Sequence, residues 1–392
     1  MICSLRRLTE VLFFLLCLFI INSWKQILTI HEMGDNNVKY EYFSTFKNMH
    51  TEKRMERREK FVHHFLNKDP HITVVPDYFK KKNFTNSTTS ETTDSIGTSI
   101  CTQLSISHTT MSRILDIANN WEGKASIAVF YKDWIDTDQL ELFTTFYNDN
   151  IDVFQDRFAF HLVIDNMVRE RDYPINMMRN VAIEYSVTEY ILVLDVDFIP
   201  SQSAFADINT HVDSLMKKDK VSMNVLVIPA FEKRLPIEES WSQILPNSKR
   251  ELIEIKEEYR VVPFHVSSFS EGHGPTDFPR WYTCDKSYSI PYQKKFEPYL
   301  VVQKSHMLPP FWEHFFGFGR NKLTWVEELA LIGYEFYVLP ESFLIHINHV
   351  NHDVNNVNHA GKRPIKSKTY IEYDVFQEYI KKKYLTPPSK IK

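Results

Sequence analysis

Apolar residues fall along the chain in three regimes. Val11–Ile21 is wholly apolar, preceded by Arg6 and Arg7 and followed by Asn22, Ser23, Trp24 and Lys25. A membrane span needs roughly 20 apolar residues, and Leu5–Trp24 reaches that length with some polar passengers. No A-x-A-like site follows the run, which favours an uncleaved signal anchor over a removed signal peptide, with the arginine pair on the cytosolic side. This reading predicts a cytosolic tail at 1–7 and a signal-anchor helix at 8–24. Residues 25–98 are polar and weakly periodic, and Thr85–Thr98 is nearly a Ser/Thr tract. Such a composition cannot bury a core and reads as a lumenal stem, disordered or partly helical. Asn83 and Asn86 head two adjacent N-x-Thr glycosylation sequons within it.

From about residue 99 the pattern changes to alternating strand and helix, and residues 99–392 are expected to form the folded domain. Ser126–Tyr131 reads as a strand. Asp138–Tyr147 is helical, with Leu140, Phe143 and Tyr147 at helical spacing. Phe158–Ile164 is a second strand. Pro174–Ser186 is a helix with proline in its first turn, where a missing N–H costs nothing. Tyr190–Leu194 is a nearly continuous apolar strand, followed by a helix at Ser203–Met216 and a strand at Val225–Pro229. This β-α-β order predicts an α/β fold with a mostly parallel central sheet covered by helices on both faces. Ligands in such sheets bind at the carboxyl ends of the strands.

Composition narrows the chemistry. Formal net charge is −4, so no global field favours nucleic acid. The 392 residues include only nine glycines, five of them between Gly272 and Gly333; the usual share is roughly 7%. Neither G-x-G-x-x-G nor a Walker loop is present, so a bound diphosphate has to be neutralised by a metal or by basic side chains. Of the four cysteines, Cys101 and Cys284 lie in the folded part. A disulfide between them and two buried thiols both fit the sequence.

The most informative stretch is Ile191-Leu-Val-Leu-Asp195-Val-Asp197-Phe-Ile-Pro200. Its charge begins where a buried strand should end. Asp195 and Asp197 are two apart, so on extended backbone they face one side. Two facing carboxylates repel unless a cation sits between them, and hard oxygen ligands suit Mn²⁺ or Mg²⁺. A pair of aspartates capping a strand is the structural alternative. Aspartyl-nucleophile phosphatases also carry D-x-D, but Ile199 stands two after Asp197, the motif is mid-domain and no Asp-Asp dipeptide exists.

Tyr173-Pro-Ile-Asn-Met-Met-Arg179-Asn180 followed by LVLDVDFIP resembles glycosyltransferase family 49, which holds the β-1,4-glucuronyltransferase of dystroglycan glycosylation and the glucuronyltransferase domain of the LARGE proteins. Further stretches agree, in order, from about residue 101 to the C-terminus: Cys101-Thr-Gln103; Val227-Ile-Pro-Ala-Phe-Glu232; Gly272-His273-Gly-Pro-Thr; Phe296-Glu297-Pro298-Tyr299; Gly317-Phe-Gly-Arg-Asn321-Lys322 with Glu328-Leu329; and Phe343-Leu-Ile-His346. The resemblance implies a GT-A-type nucleotide-sugar-binding fold, a UDP-sugar donor, inversion at the anomeric carbon and a single-pass type II protein of the Golgi membrane with its catalytic domain lumenal. It assigns Asp195, Asp197 and His346 to the metal, with His349 as a further candidate. His352 and His359 read as solvated. It also assigns Glu328 as the general base, and Gln103, Arg179, Asn180, His273, Asn321 and Lys322 to the nucleotide sugar; Asp277, where related proteins carry asparagine, is the reserve candidate for the base. The implied reaction moves glucuronate from UDP-glucuronate to a glycan acceptor such as xylose, without nucleic acid. Two alternatives stand beside it: the same fold with another UDP-sugar, and an inactive lumenal glycan-binding protein. The presence of Asp195, Asp197, His346 and Glu328 together argues against the latter. A single transferase domain is expected, unlike the bifunctional LARGE architecture.

Overall fold

The computed structural model describes residues 71–83, 95–132, 137–166, 173–217, 221–233, 245–258, 261–316, 319–347 and 365–385. The expected cytosolic tail, the anchor at 8–24, most of the stem, Asn86, His349, His352 and His359 lie outside the described residues. Among the described residues no helix is long and apolar enough to cross a membrane.

The alternation seen in the sequence becomes a nine-stranded sheet in the order β1-β4-β3-β2-β5-β11-β7-β12-β10. Its strands are β1 (Ile72–Val75), β2 (Ser95–Ser105), β3 (Ala125–Lys132), β4 (Phe158–Asp165), β5 (Thr188–Val193), β7 (Asn224–Ile228), β10 (Tyr288–Ile290), β11 (Tyr299–Gln303) and β12 (Glu335–Val338). A smaller sheet, in the order β6-β13-β8-β9, comprises β6 (Phe198–Pro200), β8 (Ala230–Lys233), β9 (Val261–Pro263) and β13 (Leu344–His346). Seven successive residues of β3 are buried, because helices cover the parallel strands on both faces. The helices His108–Asn120 and Ile175–Glu184 each bury an apolar stripe containing Met111, Ile114 and Ile117, or Met178 and Val181.

The expectation of a mostly parallel sheet holds for β4-β3-β2-β5 and for the β7-β12 pair. Strands β4, β3, β2 and β5 run parallel. Beyond them β11 runs antiparallel to both β5 and β7, β10 antiparallel to β12, and β1 antiparallel to β4. The sheet is therefore mixed. No helical crossover precedes β11. Strand β10 runs in the same direction as β11, and residues 291–298 carry the chain between them to the carboxyl edge of β5, from which β11 runs back.

The domain also starts earlier than residue 99. Strand β2 begins at Ser95, and β1 is drawn from the segment read as stem. The helix Tyr78–Asn83 follows β1, and its Phe79 stacks on Tyr147 with ring centroids 3.6 Å apart, against Phe143 and Phe160. A polar relay pins the same segment. The Asp77 N–H donates to His161 Nδ1 at 3.1 Å. His161 is fully buried, and burial lowers its pKa to about 4, so the ring is neutral. With Nδ1 accepting, Nε2 carries the proton and donates to Ser126 Oγ at 2.9 Å, which in turn donates to the Ala182 carbonyl. This short run escaped the sequence reading because one strand and one helical turn show no periodicity.

Cys101 and Cys284 are both free thiols. Cys101 is buried in β2, where burial pushes its pKa up to about 12. Of the two readings left open, the unpaired one is the structure's.

Phe79→Ala removes an aromatic ring from this cluster. It should destabilise the protein by about 3–5 kcal/mol, the usual cost of truncating a buried phenylalanine, measured by denaturant unfolding of the full chain. An unchanged midpoint would return residues 72–83 to the linker.

Candidate active site

Strand β5 delivers the chain to the carboxyl edge, where the Leu194 N–H donates to the Cys101 carbonyl as the last bond of the ladder. Asp195 follows directly, and donors from four elements converge on its carboxylate. Arg179 Nη2, from the Ile175–Glu184 helix, lies 2.8 Å from Oδ1, and Gln103 Nε2, near the end of β2, lies 3.3 Å from it. Tyr299 Oη, from β11, donates to Oδ2 at 2.9 Å, and Lys322 Nζ, from the Asn321–Ile332 helix, lies 3.3 Å from the same oxygen.

Burial alone would raise the Asp195 pKa. The Lys322 and Arg179 cations, with hydrogen bonds from Arg179 and Tyr299, outweigh it and hold the group far below the usual carboxylate range. Buried cations need partners in turn. Arg179 also donates to Asn176 Oδ1 and Asn321 Oδ1, each at 2.9 Å, and Lys322 Nζ sits 3.7 Å from the centre of the Tyr299 ring. Gly319 and Arg320 both have positive φ, 99° and 59°, and this left-handed turn starts the helix that carries Asn321 and Lys322.

Beside this cluster lies a second pair. Strand β6 begins one residue after Asp197 and pairs with β13, with His346 opposite Phe198. His346 Nε2 lies 3.2 Å from Asp197 Oδ2, and the Ile347 N–H donates to the Asp197 carbonyl at 2.8 Å. Their side chains remain 12% and 25% exposed. The pair fits a divalent cation: an imidazole nitrogen and a carboxylate oxygen lie side by side. Asp195 fits less well, since its oxygens already meet two cations and two neutral donors. Among the described residues no three His, Cys, Asp or Glu side chains gather as a metal site.

His273 is buried in contact with Phe264, at 5.1 Å between ring centroids, and lies over Tyr299 at 6.2 Å. Burial, aided by Lys322, lowers its pKa well below the ordinary imidazole value and keeps it neutral. The structure thus brings together Gln103, Arg179, Asp195, His273, Asn321 and Lys322, with Asp197 and His346 adjoining.

Three residues singled out in the sequence have other partners. The Asn180 carboxamide donates to the Phe311 carbonyl and to Glu313 Oε1, and accepts from the Phe311 N–H. It latches the 311–313 loop instead of facing a ligand. Glu328 is buried, and its Oε1 accepts from Lys383 Nζ at 2.8 Å and from Tyr384 Oη at 2.5 Å, both on the helix Ile365–Leu385. It lies about 9 Å along its helix from Lys322 and about 120° round the axis. Its neighbour Glu327 bonds Tyr373 and Gln377 on the same C-terminal helix. Asp277 is exposed with φ 60°, and its Oδ1 caps the next helix at Arg280 N. Conversely, the sequence reading assigned no role to Tyr299, Asn176 or Glu297. The E-x-Y spacing of Glu297 and Tyr299 ahead of an apolar strand was the available signal for two of them.

Comparison with known proteins follows this geometry. The family described as glycosyl-transferase for dystroglycan, glycosyltransferase family 49, matches residues 166–385. Glycosyltransferase-like protein gnt14 of Dictyostelium discoideum is 35% identical over 247 residues, 62% of this chain and 37% of its own length. The xylosyl- and glucuronyltransferase LARGE2 of Mus musculus is 31% identical over 59% of this chain and 32% of its own length. For LARGE1 of Homo sapiens the values are 27%, 74% and 36%. The chain spans about a third of the length of these relatives. Among solved structures, S. aureus TarS 1-349 aligns with a TM-score of 0.38 at 12% identity, over 64% of this chain and 60% of that one. GalNAc-T7 with UDP, GalNAc and Mn²⁺ aligns at 0.40 and 11%, over 65% and 44%.

Two variants test the reassigned carboxylates. Glu328→Ala leaves the Lys383 ammonium, only 19% exposed, without its partner. It should cost about 2–3 kcal/mol of stability while leaving UDP affinity unchanged by calorimetry. Lost turnover with unchanged unfolding would return Glu328 to catalysis. Burial pushes Glu313 up to about 7, against the hydrogen bond from Asn180. Between pH 4.5 and 7 the native carboxyl keeps a proton that the unfolded chain has lost, so its contribution to stability falls as pH rises. Glu313→Gln should therefore melt with the wild type near pH 4.5 and above it at pH 8. The gap should be at most about 3 kcal/mol, at about 1.4 kcal/mol per pH unit. A constant gap across this range would show that Glu313 titrates normally.

Proposed function

This chain belongs to glycosyltransferase family 49 and is a glycosyltransferase; we propose that it moves glucuronate from UDP-glucuronate onto a glycan acceptor, with inversion, on a GT-A-type fold. The observation that carries the reading is the convergence of Arg179 and Lys322, both buried, at the carboxyl edge of the parallel strands. In a chain without a glycine-rich phosphate loop, these cations are the groups able to meet a diphosphate. Arg179 offers a planar fork that matches a phosphate or the sugar carboxylate, which favours an acidic donor sugar. Gln103 stands where uracil would lie, and His273, as a neutral donor, together with Asn321, faces the sugar.

Asp197 and His346, with Asp195 beside them, would hold Mn²⁺ or Mg²⁺. When bound, that cation supplies neutralisation of the departing diphosphate. The chain's own residues do the rest. Asp195 keeps the Arg179 and Lys322 cations in place before substrate arrives. Tyr299, held as a phenol by burial and by Asp195, fixes the orientation of that carboxylate. The names of the LARGE relatives carry both xylosyl and glucuronyl activities, so UDP-xylose is the second donor to test. The basic flank and apolar run at the N-terminus support a type II protein of the Golgi membrane, its transferase domain lumenal and glycosylated at Asn83 or Asn86.

The full chain, expressed in a secretory host and incubated with a panel of UDP-sugars and Mn²⁺, should release UDP fastest from UDP-glucuronate and lose this activity in EDTA. Asp195→Asn and Asp197→Asn should each lower the rate on the order of 10²–10³-fold, the usual cost of removing one preorganised electrostatic group. Asp197→Asn should leave unfolding little changed, whereas Asp195→Asn strips the buried Arg179 and Lys322 of their anion and should also cost about 3–5 kcal/mol of stability. Full activity in EDTA would remove the metal from the reading. A preference for UDP-xylose would replace the donor.

A further inference from the structure

Inversion in one displacement needs a group that removes the acceptor hydroxyl's proton, and the carboxylates around the site are not equally able to do so. Glu328 is enclosed by Lys383 and Tyr384. Glu313 is bonded to Asn180, and Asp277 caps its own helix. Glu232 accepts from the His265 N–H and pairs with its ring. Asp195 is committed to Arg179 and Lys322, and Asp197 to His346.

Glu297 differs from all of these. It lies at the entrance to β11, which runs antiparallel to β5 with Leu300 opposite Val193. Continuing that register sets Glu297 and Pro298 alongside Val196 and Asp195, at the carboxyl edge. Pro298 keeps the residue before it in extended backbone, so Glu297 shares a face with Tyr299, whose hydroxyl bonds Asp195. Its own N–H donates to the Gly272 carbonyl at 2.8 Å, next to His273. The side chain is half-buried and so stays within reach of an incoming molecule.

We propose that Glu297 is the general base of the transfer, a reading that rests on the transferase function proposed above. The acceptor oxygen bonds to the anomeric carbon as the bond from that carbon to the diphosphate oxygen breaks. The electron pair leaves with UDP, and the hydroxyl proton passes to a Glu297 carboxylate oxygen and then to solvent. Burial raises the pKa of Glu297, opposed by Lys322 and Arg179 and assisted by Asp195, which makes it a stronger proton acceptor than an ordinary surface carboxylate.

The test compares wild type, Glu297→Gln and Glu297→Asp as full chains, each checked by thermal unfolding and by calorimetry with UDP. Glu297→Gln should lower kcat for glycan transfer by about 10²–10⁴-fold, with UDP affinity and melting temperature close to wild type. Sodium azide attacks with no proton to lose, so it should restore turnover in Glu297→Gln, yielding a glycosyl azide of inverted configuration. Glu297→Asp retains a carboxylate set back by one methylene and should keep intermediate kcat at unchanged donor KM. Near-normal transfer by Glu297→Gln overturns the assignment. So does a loss that azide does not relieve, or one accompanied by weakened UDP binding, either of which makes Glu297 a donor-binding or scaffold residue. A wild type inactive on every UDP-sugar brings down the transferase reading and the base with it; an active wild type alongside an active Glu297→Gln removes the base alone.

Discussion

The carboxylate of Asp195 is an anion placed where burial disfavours it, and it stays ionised because Arg179 and Lys322 converge on it. Asp195 is the carboxylate that both cations meet directly, so each member needs the others. The arrangement requires β5 to end two residues before Asp195, the Ile175–Glu184 helix to lie across the parallel strands, and the Asn321–Ile332 helix to begin at the sheet edge. The left-handed turn at Gly319 and Arg320, the Asn176 bonds to the Trp312 and Asn321 carbonyls, and the Asn180 latch on Phe311 all serve that last requirement. Much of the second half of the chain can be read as the means of bringing Lys322 and Tyr299 to Asp195.

The first half of this design was legible in the sequence because its signals are local. Continuous apolar strands such as Tyr190–Leu194 mark parallel strands covered on both faces, and the observed β3, β4, β5 and β7 lie within a residue or two of the runs that predicted them. Asp195 and Asp197 announced the edge because charge begins where the apolar run stops. Arg179, Lys322, Gln103 and His346 are assigned by family resemblance.

What escaped the reading depends on contacts distant in sequence. Whether β11 runs with or against β5 is set by the path through residues 234–298, and no periodicity encodes it. Nor does sequence spacing distinguish Glu328 from a catalytic carboxylate. Its partners, Lys383 and Tyr384, lie 55 and 56 residues away on the last helix, and only the packed structure joins them. Asn180 presents the same difficulty: a polar residue on a buried helix face reads as ligand-binding, while its Oδ1 and both of its N–H donors in fact serve a loop 131 residues on.

The scarcity of glycine ties these observations together. A backbone cradle holds phosphate with N–H groups that carry no net charge and need no counter-ion when the site is empty. Arginine and lysine carry full charge and cannot be buried without an anion. Asp195 meets that need before any substrate arrives, which explains why a residue of the D-x-D pair faces two cations while Asp197 is paired with a histidine. The two aspartates, indistinguishable in the sequence, thus have different partners: Asp195 meets Arg179 and Lys322, and Asp197 meets His346. A diphosphate entering this site would compete with Asp195 for Lys322 and Arg179. Its binding and the loosening of that carboxylate are therefore coupled by the same charges.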